Sequence, residues 1–98
     1  MRYVKLGAVR AFPGAVPDKA QALKVLEEAA EVFGAWQEYE YGTEEQRSSE
    51  STTYFIVNEI ADAIQACCNL AAALGVDDLT PYLARCEERN RERGRYGD

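Results

Sequence analysis

The chain has 98 residues, of which 47% are hydrophobic, and a formal net charge of −6. That length fits one domain and buries roughly two-thirds of its unfolded surface, while the apolar content excludes general disorder. The acidic balance argues against nonspecific binding to nucleic acid or to anionic membranes.

The expected fold class is all-α: a helical bundle of about three main helices, completed by homo-oligomerisation. Residues 1–17 form an N-terminal segment with no assigned role, and residues 18–98 form the helical domain. Arg2–Val9 is a weak strand candidate, the only one in the chain. Pro17-Asp18 opens the first long helix, with Asp18 as cap and Gln21 in capping-box position. This helix is expected to run to about Tyr41 and to stop at Gly42. Gly34 inside it costs about 1 kcal/mol against Ala and marks a soft spot. Thr43–Glu50 is polar and reads as a linker. A Ser or Thr among Ser48–Thr53 caps the second helix, which continues to Leu74, with Gly75 in C-cap position. Pro81 suits the first turn of the third helix, which runs to about Glu92 and ends near Gly94.

No apolar run reaches the roughly 18 residues of a spanning helix without a charge. Residues 1–14 lack the continuous apolar core of a signal peptide, so the cytoplasm is the expected compartment. There are three cysteines and no histidine. Cys67 and Cys68 point about 100° apart on a helix, which argues against a disulfide between them. The absence of His and of any CxxC argues against zinc. It also excludes the di-iron bundles that need an ExxH motif and hydrolases that depend on a His base.

The second helix is apolar nearly all round from Phe55 to Leu74, except at Asn58, Glu59, Asp62, Gln65 and Asn69. Such a helix must be covered on most sides. The rest of a chain this short does not easily do so, and this predicts a homo-oligomer, dimer or tetramer.

Two pairs of acids stand inside the apolar runs: Glu28 with Glu31, and Glu59 with Asp62. The i, i+3 spacing puts each pair on one helix face, one turn apart. Lys24, Glu28, Glu31 and Ala35 share one stripe; Phe55, Glu59, Asp62, Ala66 and Asn69 share another. If the stripes face each other, four carboxylates converge. Two unit charges 4 Å apart repel by about 4 kcal/mol at an effective dielectric near 20. A divalent cation relieves that repulsion, and all-oxygen ligands select Mg²⁺ or Mn²⁺. The bland alternative is that these acids lie on solvated faces.

Glu28-x-x-Glu31, 27 residues, then Glu59-x-x-Asp62 resembles the MazG-like all-α nucleoside triphosphate pyrophosphohydrolases. Leu26-Glu-Glu-Ala-Ala-Glu-Val32 is similar to that family's first metal helix and Asn58-Glu-Ile-Ala-Asp-Ala-Ile64 to its second. Glu88-Arg-Asn-Arg-Glu-Arg-Gly-Arg-Tyr96 is similar to the basic tail of many small members. The resemblance covers residues 22–96, and the spacer is long for the family.

The resemblance implies hydrolysis of a nucleoside triphosphate to a monophosphate and pyrophosphate. Glu28, Glu31, Glu59 and Asp62 would hold Mg²⁺, with Mn²⁺ as a substitute, and Glu28 or Glu31 would accept the proton of the attacking water. Asn69 would bond a sugar or base edge, or else serve the helix interface. Lys24 would touch phosphate, or else be a solvated lysine. Arg91, Arg93 and Arg95 would capture phosphate, or else form a solvated helix end favoured by the macrodipole. Trp36, Tyr39 and Tyr54 offer stacking surfaces for a base, or packing surfaces. The alternative function is a non-catalytic helical oligomer that acts as a partner-binding module.

Overall fold

The computed structural model describes residues 2–97; Met1 and Asp98, at the ends of the two ranges above, lie outside the described residues. Helices run α1 Lys19–Glu40, α2 Glu44–Arg47, α3 Glu50–Ala73 and α4 Thr80–Glu92. No strand occurs among the described residues. The Arg2–Val9 strand candidate is thus corrected: the stretch has no ladder partner and lies across the helices instead.

Local chemistry sets the helix ends. The Asp18 carboxylate accepts from the Gln21 N–H at 2.9 Å and starts α1. Gly34 does not interrupt the helix. Gly42 follows α1 where space is short, because a Cβ there would sit 3.0 Å from Gln46 Oε1 and 3.3 Å from the Glu38 carbonyl. The expected linker contains α2, a single turn held by a complete capping box: Thr43 Oγ1 accepts from the Gln46 N–H, and Gln46 Oε1 accepts from the Thr43 N–H. Arg47 donates to the Glu40 carbonyl and ties this turn to the end of α1. Ser49 caps α3 through Thr52. At the far end Gly75 takes φ +85°, with Gly75 N–H on Ala72 O and Val76 N–H on Ala71 O. That is the paired bonding of a Schellman stop. Gly94 ends α4 in the same way, with bonds to Arg91 O and from Arg95 to Asn90 O.

Helices α1 and α3 form an antiparallel hairpin, and this is the main helix–helix contact. Few residues on these helices are fully buried: Ala35 on α1, and Ala66 and the polar Asn69 on α3. By contrast, α4 packs against none of the other helices. It meets the hairpin through the N-terminal segment. There the strap residues Leu6, Val9 and Ala11 share a cavity of about 520 Å³ with Ile64 of α3 and with Leu79 and Leu83. At the other end of the strap, the nearby Glu87 carboxylate of α4 raises the pKa of the Tyr3 phenol above its usual value, as expected when a neighbouring carboxylate favours the neutral form.

Asn69 secures the strap to α3. Its Oδ1 accepts from the Phe12 N–H at 3.0 Å and from Gln65 Nε2 at 2.9 Å, and Gln65 Nε2 also donates to the Arg10 carbonyl. A buried acceptor taken from its donors leaves them unsatisfied, at a cost of about 1–3 kcal/mol. Asn69→Leu is therefore expected to lower unfolding free energy by about that amount and to make residues 2–16 more sensitive to protease. Chemical denaturation and limited proteolysis, run side by side, check both effects.

Candidate metal centre

The hairpin brings Glu28 of α1 against Glu59 and Asp62 of α3. One carboxylate oxygen from each lies within 4.8 Å of the other two. Glu28 and Glu59 are half-buried and Asp62 is exposed. Glu59 Oε2 is buried and has no hydrogen-bond partner. An unpaired buried carboxylate oxygen beside two further carboxylates is unfavourable on both desolvation and charge grounds. A hard cation would relieve both, and three oxygen donors open to solvent on the Asp62 side suit one that keeps part of its water shell.

Glu31 does not belong to this group. It is exposed, for a geometric reason: at 100° per residue it stands about 60° round α1 from Glu28. Val32, on the other side of Glu28, is half-buried and marks the direction of α3. Lys24 shares the solvent-side flank with Glu31. Its Nζ is 3.4 Å from Glu28 Oε1 and 3.5 Å from Glu27 Oε2. The hydrogen bond and charge of Glu28 raise the Lys24 pKa above its usual value.

The other sequence candidates lie elsewhere. Asn69 is on the same α3 stripe, but its acceptor oxygen is engaged by the strap and by Gln65. Arg91 pairs with Glu87 and Glu88 of its own helix, and Arg95 Nη1 donates to Asn90 Oδ1 at 3.1 Å. Arg93 is exposed at the end of α4. Trp36 and Tyr39 contact each other with ring centroids 4.9 Å apart, and Tyr54 is exposed.

A further feature was not legible in the sequence. An open cleft of about 400 Å³ follows the α1–α3 seam, lined by Ala35, Tyr39, Ser51, Thr52 and Phe55 with Glu38 and Gln46. Phe55 precedes Glu59 by one helical turn, about 6 Å of rise, and Ala35 follows Glu28 by about 10 Å. The cleft therefore lies next to the acids, on the side opposite Lys24. In the sequence Ala35 and Phe55 stand on the two acidic stripes and Tyr39 among the stacking candidates; Gln46 and Thr52 reach the cleft because α2 turns the chain back over the seam.

Comparison of the chain with protein-family models, with curated proteins and with solved structures finds no match. Any functional reading therefore rests on these residues.

The cluster generates its own test. Replacing the half-buried Glu59 carboxylate by an amide removes one of three like charges. Glu59→Gln is expected to raise the melting temperature of the metal-free protein by several degrees, since about 1 kcal/mol corresponds to about 4–8 °C at this size. The exposed Glu38→Gln is expected to change it by no more than a degree or two. Thermal scans at one fixed protein concentration in EDTA make the comparison.

Proposed function

We propose that this protein is a Mg²⁺-dependent nucleotide pyrophosphohydrolase of the MazG-like type, acting in the cytoplasm on a nucleoside triphosphate and releasing a monophosphate and pyrophosphate. The observation that carries the proposal is the convergence of Glu28, Glu59 and Asp62 around a buried, unpartnered Glu59 oxygen.

Mg²⁺, or Mn²⁺ in its place, would supply charge neutralisation for the phosphates and activation of a water. Glu28, Glu59 and Asp62 would hold it. Glu31, one turn from Glu28, would join after a side-chain rotation. Glu28 or Glu31 would take the proton of the attacking water. The cleft beside the seam offers Tyr39 and Phe55 as apolar and aromatic surface for a nucleoside. With the nucleoside there, the phosphates would lie over the acids and extend toward Lys24. Arg91, Arg93 and Arg95 would reach substrate only if α4 is brought closer to the hairpin than it stands in the single chain. Asn69 would serve the site indirectly, by holding the strap.

A homo-oligomer completes the proposal. Leu26, Phe33, Val57 and Ile60 are exposed on the two long helices, and a second copy is what would cover them. The Cα radius of gyration is 16.0 Å, against about 13 Å for a compact chain near this length. A second copy laid along the hairpin would cover the helices and bring a docking surface to α4.

Pyrophosphate release from canonical and damaged deoxynucleoside triphosphates is the direct assay. Activity is expected with Mg²⁺ and not in EDTA. Glu28→Gln, Glu59→Gln and Asp62→Asn are each expected to reduce kcat by about 100-fold or more, the scale of losing general acid–base or metal function. Full activity in any two of them, or turnover in EDTA, refutes the proposal. Multi-angle light scattering at micromolar concentration is expected to show no folded species at the 10.9 kDa of one chain. Mg²⁺ binding without turnover on any nucleotide would instead favour the partner-binding module.

A further inference from the structure

We infer that Lys24 is a built-in counter-ion for the acidic cluster: it gives up Glu28 when the divalent cation arrives and then holds the outer phosphates of the substrate. This rests on the metal reading above.

The geometry is direct. Lys24 Nζ sits 3.4 Å from Glu28 Oε1, the one α1 carboxylate in the cluster. Among the described residues no other Lys or Arg pairs with Glu28, Glu59 or Asp62. The Glu28 side chain is 14% exposed, whereas Lys24 and Glu27 are each 54% exposed. Glu28 is therefore fixed at the seam, and Lys24 is the partner free to move.

An ammonium on the Glu28 carboxylate competes with a divalent cation for it, because their own repulsion grows as they approach. The divalent ion has twice the charge and two further ligands in Glu59 and Asp62, so it displaces the ammonium. The displaced lysine has a second carboxylate at hand, since Glu27 Oε2 is 3.5 Å away. That contact keeps the side chain beside the site.

Direction follows from the two helices. Lys24 lies one turn N-terminal of Glu28, and the nucleoside-sized cleft lies on the C-terminal side, at Ala35, Tyr39 and Phe55. A triphosphate whose nucleoside occupies that cleft passes over the acids and ends near Lys24. The lysine thus meets the phosphates that leave as pyrophosphate, not the one that stays on the nucleoside. Metal loading and phosphate capture are coupled because each is favoured when Lys24 leaves Glu28.

The test is Lys24→Met, with Lys19→Met on the same helix as the control for loss of one positive charge. Isothermal titration with Mg²⁺ alone is expected to show a dissociation constant about two- to fivefold lower in Lys24→Met, the scale of one exposed ion pair. Titration with an α,β-methylene nucleoside triphosphate in saturating Mg²⁺ is expected to show affinity about tenfold lower, the scale of one charge-assisted hydrogen bond. Inhibition by pyrophosphate is expected to weaken in parallel, while inhibition by the nucleoside monophosphate stays within twofold. Lys19→Met is expected to move none of these by more than twofold. Opposite shifts for metal and triphosphate separate this role from a structural one, which would change the melting temperature and leave the two affinities alone. Unchanged affinities in Lys24→Met, or shifts of the same sign, overturn the inference. If the unmodified protein binds no Mg²⁺, the metal reading itself fails, and that outcome is distinguishable from the loss of the lysine exchange alone.

Discussion

The antiparallel pairing of α1 with α3 is what brings the carboxylates of two helices together. Ala35 and Ala66 are the most buried apolar residues in the described chain, and Glu28, Glu59 and Asp62 project from the same seam. The seam contributes little apolar burial of its own. Its effect is positional: it holds like charges near one another and accepts the electrostatic cost, a pattern more often found at functional sites than in regions that only support the fold.

Polar clamping outside the seam compensates for the thin core. The strap over α3 has few apolar contacts, yet its backbone is fixed at Arg10 and Phe12 by Gln65 and Asn69. Placing a polar side chain in the interior is favourable only when its groups are satisfied. Asn69 meets that condition through its two donors. The strap in turn is the main bridge between α4 and the hairpin, through the shared cavity and the Tyr3–Glu87 contact. Loss of one amide on α3 would therefore be felt on α4, whose backbone does not approach α3 closely.

The helical periodicity was legible because 3.6-residue spacing and end signals agree: Asp18, Gly42, Gly75 and Gly94 all mark ends where expected. The α2 turn was missed although its signal, Thr43-Glu-Glu-Gln46, is a capping-box pattern. A polar, charged composition hid it, and its stability comes from two local bonds, not from an apolar face. The candidate site was legible to the precision of a helical wheel. The wheel brought Glu28 toward Glu59 and Asp62 but could not separate Glu28 from Glu31, because a stripe about 60° wide includes both. Only the direction of α3, marked by Val32, decides which carboxylate faces the seam. Asn69 shows the opposite limit. It stands on the acidic stripe, but the Phe12 N–H that its oxygen accepts comes from a segment 57 residues earlier, and no local pattern encodes such a contact.

The distribution of exposed apolar surface is the remaining constraint. Helix α3 is apolar nearly all round, yet within one chain only its α1-facing and strap-facing sides are occupied. Ile56, Ile64 and Leu70 are half-buried, while Val57 and Ile60 stay exposed. Exposed leucine or tyrosine alone needs no explanation. Exposure along both long helices, together with an extended shape and a fourth helix whose backbone comes close to no other, is harder to reconcile with an isolated chain. Adding a second copy resolves these features jointly, since antiparallel hairpins can stack as a bundle and α4 can rest on a neighbouring surface. The acids would then be enclosed on a second side. Closer enclosure lowers the local dielectric and raises the repulsion among Glu28, Glu59 and Asp62. Assembly would thereby increase the need for a cation at the same site that it shelters. In the proposed assembly, oligomerisation and metal loading would in this way be physically coupled, even if no residue of one copy reaches the acids of the other.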